Sequence, residues 1–127
     1  MFAADEASRG LGIELLEQGG GTAVLRMTVT RSMVNGHGIA HGGYVFLLAD
    51  SAFTCDSRGP VTVAAGAAIT FVAPAREGDV LEARAEERTR FGRSGLYDVS
   101  VRRGDEVIAE FRGLSDSIRS TTSEETG

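Results

Sequence analysis

The stretch GGYVFLLADSAFTCDS, Gly42–Ser57, decides how this chain folds. It is longer than an ordinary strand, and Ala, Leu and Phe recur on nearly every face when it is wound as a helix. A helix that is apolar all round is a buried one. Arg58-Gly59-Pro60 follows, with Gly and Pro standing where helices end. One long buried helix is expected, and the remaining chain has to supply the sheet that covers it.

Upstream, LGIELLEQ (Leu11–Gln18) and TAVLRMTV (Thr22–Val29) flank Gly19-Gly20-Gly21. In the second, Ala23, Leu25, Met27 and Val29 alternate with Val24, Arg26 and Thr28, the pattern of a hairpin with a half-buried second strand. The first ten residues are small and acidic and read as a short helix or an arm, while Thr30–Ala40 reads as a loop loosened by Gly36 and Gly38. Downstream, VTVAAGAAITFVA (Val61–Ala73) is a continuous apolar run of mostly small side chains, expected to be a central strand covered on one face by the helix. Glu77-Gly78-Asp79 marks a turn. VLEARAEERT (Val80–Thr89) and LYDVSV (Leu96–Val101) alternate, Gly104-Asp105 marks a hairpin, and VIAEFRG (Val107–Gly113) returns. The polar end, residues 117–127, is expected to be disordered. With no repeat and no linker, residues 1–127 form a single domain of order ββ-α-ββββ, an α+β fold in which a curved antiparallel sheet meets one helix.

Composition excludes several chemistries. The chain has 127 residues with 13 basic against 18 acidic side chains, a net charge of −5. Every basic residue is Arg, so Schiff-base chemistry, a pyridoxal-lysine linkage and a P-loop lysine are ruled out. One Cys and two His provide neither a disulfide framework nor a multi-ligand metal centre, and no cofactor is implied. The acidic balance disfavours nucleic acid. The start lacks the basic and apolar regions of a signal peptide, and no apolar run reaches the roughly 18 residues that span a bilayer. A soluble, cytoplasmic domain without nucleic-acid or membrane partners is expected.

Two features carry chemistry. Asp50 stands inside LLADSAF, where a carboxylate must be paired, neutralised or used. It is either a core acid satisfied by backbone and hydroxyl groups, or a functional one. At the helix start, Asn35-Gly36-His37-Gly38-Ile39-Ala40-His41-Gly42-Gly43 places two glycines where free N–H donors favour negative charge or a polarised carbonyl oxygen. Packing alone would also account for those glycines. From Gly42 to Asp50 is eight residues, roughly 12 Å of helix, so one small electrophile cannot touch both groups of one chain. If both act on one carbonyl, a two-fold-related second chain has to bring them together.

The motif N-G-H-G-x-x-H-G-G-x-x-x-x-L-A-D (Asn35–Asp50) closely resembles the hotdog-fold acyl-CoA thioesterases, nearest to the PaaI group linked to phenylacetate degradation. The likeness continues through ITFVAPAREGD (Ile69–Asp79), FGRSGLYDV (Phe91–Val99) and FRGLS (Phe111–Ser115), covering roughly residues 20–118. The resemblance implies a hotdog fold, a long helix wrapped by an antiparallel sheet, with dimers joined sheet edge to edge and commonly paired into homotetramers. It implies an acyl-CoA substrate, (hydroxy)phenylacetyl-CoA by class. It makes Asp50 the nucleophile or general base, the Gly42 N–H the donor to the thioester carbonyl, and Asn35 and His41 the groups framing that oxygen. Thr54, one turn after Asp50, would face the same cavity. Phe71, Val72 and Pro74, with Gly92, Arg93 and Ser94, fall where the family holds the pantetheine and nucleotide of coenzyme A.

His37 reads as structural within its loop, Cys55 as a small core residue, and Arg90, Arg102, Arg103 and Arg112 as solvated strand faces or phosphate partners. One departure stands out. Relatives commonly carry Arg immediately before the Pro, where this chain has Ala73-Pro74, leaving Arg76 or Arg93 to substitute. The rival readings are a hotdog hydratase or dehydratase, disfavoured by His41-Gly42-Gly43 and the nine-residue step to Asp50, and a non-catalytic acyl-CoA-binding module.

Overall fold

The computed structural model describes residues 6–56 and 62–117. A short helix α1 (Glu6–Gly10) leads into strands β1 (Glu14–Gly19) and β2 (Thr22–Thr28), and then comes a 3-10 turn, Arg31–Met33. The long helix α2 (Gly42–Asp56) follows, then β3 (Thr62–Phe71), β4 (Val80–Phe91), β5 (Ser94–Arg103) and β6 (Glu106–Ser117). The six strands form one sheet of order β1-β2-β4-β5-β6-β3, antiparallel at every junction. Register shifts in β1, β3, β4 and β6 add local twist, which lets the sheet curl until α2 touches every strand.

Alternation sets the inner face. Ala23, Leu25 and Met27 on β2, Leu81, Ala83 and Ala85 on β4, and Tyr97, Val99 and Val101 on β5 are fully buried. Into them α2 presses Val45, Leu48, Ala49, Ala52 and Phe53, spaced i, i+3, i+4, i+7, i+8. The small Ala83 and Ala85 let the helix come close, and Phe53 fills the centre against Tyr97 and Phe111.

Three expectations need correction. The run from Val61 to Ala73 is not central: β3 pairs only with β6 and forms an edge, with Ala65, Gly66, Ala67, Ala68 and Thr70 exposed. Continuous apolarity reports that both faces tolerate burial and does not say what covers them. Nor is α2 buried all round. Tyr44, Phe46, Leu47 and Asp50 are only half-buried and Thr54 is exposed, a second flank that the chain's own sheet leaves open. Val24 is buried as well as its alternating neighbours, so β2 is covered on more than one face. At the ends, the arm is a helix from Glu6 onward, seated on α2 by a buried hydroxyl pair, Ser8 Oγ with Ser51 Oγ at 2.5 Å. Ser117 closes β6, and the rest of the expected tail lies outside the described residues, as do Arg58-Gly59-Pro60.

Candidate functional site

The loop before α2 is built around Asn35. Its Oδ1 accepts the N–H of His37 at 2.8 Å and of Ile39 at 3.1 Å, while Asn35 N–H and C=O bond to Ile39 and Gly38. Fixing one end of the amide fixes the other, so the Nδ2 donors point in a set direction and make no other hydrogen bond among the described residues. His41 N–H donates to Met33 O and its C=O accepts from Tyr44, which makes His41 the hinge between loop and helix, its side chain exposed. His37 is exposed and enters the loop's bonding through its backbone.

Gly42 opens α2, and its N–H is one of the helix's unclaimed donors. It borders an apolar cavity of about 410 Å³ whose walls include Ile39, Val45, Phe71, Val72, Pro74 and Ile108. A Cβ at position 42 would stand 2.8 Å from the Phe71 ring, so only glycine leaves this ring its place. The far wall is held by a clamp that sequence reading missed. Arg103 Nη1 donates to Pro74 O at 3.3 Å and to Asp79 Oδ2 at 2.5 Å, its other nitrogen bonds Glu106, and Asp79 Oδ2 also accepts the Arg76 N–H. The partners are 24 residues apart, beyond any local pattern.

Partial burial works to raise the Asp79 carboxyl, but the Arg76 N–H and the Arg103 guanidinium outweigh it and hold it below the usual carboxylate range. A depressed carboxylate stabilises the fold above its unfolded-state pKa, and that contribution is lost as pH falls through the folded value. Asp79→Asn should therefore lower the melting temperature by a few degrees near neutrality. The gap to wild type should close as pH falls below the usual carboxylate range, once the native carboxyl protonates as well. A pH-independent gap in thermal melts would show that the charge of Asp79 is not what matters.

Asp50 lies elsewhere. It borders a shallower cavity of about 270 Å³ with Gly43, Phe46, Leu47 and the β3 residue Ala67. Gly43, Phe46, Leu47, Asp50 and Thr54 recur at helical spacing, so the acid sits in the middle of the open flank of α2. Thr54 shares this flank but does not border the cavity, and the side chain of Cys55 is half-buried beside it. The chain thus does not unite Asp50 with Gly42. Nor does it unite the two expected substrate-binding segments. Phe71, Val72 and Pro74 line the Gly42 cavity, whereas Gly92, Arg93 and Ser94 form the β4–β5 turn. Phe71 pairs with Ala109 and Ser94 with Asp116, seven residues or about 23 Å apart along β6.

A further hollow, about 510 Å³, lies on the outer face of the sheet among Glu82, Arg84, Glu86, Asp98, Arg102 and Glu110. Most of these charges are already partnered: Arg112 binds Asp98 through two nitrogens and keeps its carboxyl low against the pull of burial, and Arg88 adds a second cation. This is a solvated face, not a binding site. Among the described residues no group of three His, Cys, Asp or Glu could hold a metal ion, and no helix is long and apolar enough to cross a membrane.

Residues 37–110 match the thioesterase superfamily, a span that runs from His37 of the helix-start motif through α2, β3, β4 and β5 into β6. The chain is 40% identical over 124 residues to the acyl-coenzyme A thioesterase PaaI of Escherichia coli, covering 95% of this chain and 89% of that protein. The solved structure of Escherichia coli PaaI, from the phenylacetic acid degradation operon, superposes with a TM-score of 0.87 over 93% of this chain and 88% of its own. A mutant of the phenylacetic acid degradation protein PaaI from Thermus thermophilus is 34% identical with a TM-score of 0.86, over 90% and 100% of the two chains. In sequence and in its one long helix wrapped by a six-stranded antiparallel sheet, this chain belongs to the thioesterase superfamily and has its hotdog fold.

Proposed function

We propose that this thioester hydrolase cleaves an aryl-acetyl-CoA, of the (hydroxy)phenylacetyl class, to the free acid and CoA at a site shared by two chains. The observation that carries the reading is the separation of Asp50 and Gly42 into two cavities on one helix, beside the β3 edge that no other described strand pairs. In a two-fold β3–β3 pairing the helices run antiparallel across the axis. With the axis level with Phe46, four residues from each group, Asp50 faces the partner's Gly42. The same rotation carries the partner's Arg93 toward the Phe71–Pro74 end, closing the gap of about 23 Å between the two binding segments.

The chemistry follows from the groups so joined. Thioester hydrolysis needs an activated water or carboxylate and a donor for the developing oxyanion. Asp50 supplies the first, with Thr54 on the same flank to hold the water. The partner's Gly42 N–H, reinforced by the helix dipole, supplies the second. Asn35, its amide oriented by the loop, and His41 frame the carbonyl. The ring of Phe46 and the wall of Phe71, Val72 and Pro74 suit an apolar acyl group and an uncharged pantetheine arm. Gly92, Arg93 and Ser94 receive the nucleotide, the domain works as a dimer and assembles further to a homotetramer, and the enzyme is cytoplasmic.

Parallel assays of thiol release from phenylacetyl-, hydroxyphenylacetyl-, benzoyl- and straight-chain acyl-CoA test the substrate class, with the first two expected to show the highest kcat/KM. Complementation tests the shared site. Asp50→Ala chains mixed equally with Asn35→Ala chains should regain about a quarter of wild-type activity, because half the dimers are hybrids and each hybrid holds one intact site. Hybrids shown to have formed but remaining inactive would rule out the two-chain arrangement.

A further inference from the structure

We infer that Arg76 is a specificity-determining residue that reads the phosphates of coenzyme A and stands in for the cation missing at Ala73; this rests on the acyl-CoA reading above. The cavity at Gly42 is walled by uncharged side chains throughout, Ala73, Pro74 and Ala75 among them. It suits the neutral arm of a thioester carrier and offers nothing to an anion. The chain leaving that wall reaches Arg76 at once, and its backbone is unusually well fixed. Pro74 O is held by Arg103, Ala75 O accepts from Ala40, and Arg76 itself bridges Ile39 while its N–H binds Asp79. Asp79 gives its carboxylate to Arg103 and attracts the Arg76 guanidinium only through space. The Arg76 guanidinium is left exposed with no hydrogen-bond or ion-pair partner of its own among the described residues. A cation on a rigid backbone at the end of an apolar slot, with no direct side-chain partner, is arranged for the anionic end of a ligand whose middle is uncharged. Arginine binds phosphate oxygens through two parallel N–H donors.

Two thioesters of one acyl group, one on CoA and one on N-acetylcysteamine, which lacks the nucleotide, separate the possibilities. In Arg76→Ala the ratio of kcat/KM for the CoA ester to that for the short ester should fall about tenfold, through KM. Arg76→Lys should recover part of the loss. Calorimetric titration with free CoA and with pantetheine gives a readout independent of turnover: CoA should bind about tenfold more weakly to Arg76→Ala, and pantetheine equally to both proteins. If the wild type hydrolyses neither ester yet CoA binding still depends on Arg76, the thioesterase reading fails and this inference stands. Equal losses on both esters, CoA binding that ignores Arg76, or no CoA binding by the wild type would each overturn it.

Discussion

Asp50→Asn is expected to lower kcat for acyl-CoA by about two or more orders of magnitude, the range lost when a general base is removed. The amide keeps nearly the shape of the carboxylate and cannot act as a base or nucleophile at neutral pH. Fold and assembly should survive, because an amide relieves whatever desolvation cost the half-buried charge carries. Thiol release and a melting curve on the same preparation decide the matter. A structural acid would show the opposite pattern, a shifted melting temperature at nearly normal turnover, and that result would sink the proposed mechanism.

The largest effect on stability should come from Phe53→Ala. The ring is 1% exposed, 5.4 Å from Tyr97 in edge contact and 5.7 Å from Phe111. It also lies so close over Gly113 that a Cβ there would stand 2.9 Å from it. No neighbour can collapse into the space, since the helix above and the sheet below are both anchored by other residues. A loss of about 3–5 kcal/mol is expected, a large share of the roughly 5–15 kcal/mol that holds a domain together. Phe53→Leu should recover much of it. Urea unfolding followed by circular dichroism measures the difference, and a loss under about 1 kcal/mol would show that the centre repacks.

What the sequence discloses and what it hides divide along physical lines. Length and all-round apolarity were enough to place α2, found at Gly42–Asp56, and alternation placed the strands β4 and β5, because side-chain direction repeats with the backbone. Asp50 stands out because a carboxylate among Leu, Ala and Phe is costly without a purpose. The place of β3 was hidden, since an apolar run describes a strand's faces and its neighbours lie along its edges. The two flanks of α2 were merged for a related reason: Val45, Leu48 and Phe53 are buried against the sheet, Leu47 lies on the open flank with Phe46 reaching from it to Phe111, and composition alone makes them one apolar cylinder. The Arg103–Asp79 clamp had no local signal, being a meeting of two turns that only the closed sheet brings together.

The place of β3 also governs when the chain is vulnerable. Its segment TVAAGAAITF carries no charge and no proline, the usual protections of an exposed strand edge. Its sole partner among the described residues, β6, lies far along the chain, Thr62 pairing with Ser117, so this ladder closes over a long loop and belongs to the slow part of folding. During synthesis β3 leaves the ribosome well before β6, with both edges bare. Once β6 arrives one edge is sealed, and in the dimer proposed above the other stays adhesive until a second chain is met. On that proposal the hazard of wrong association is confined to newly made or diluted chains, and abundance itself becomes a form of protection.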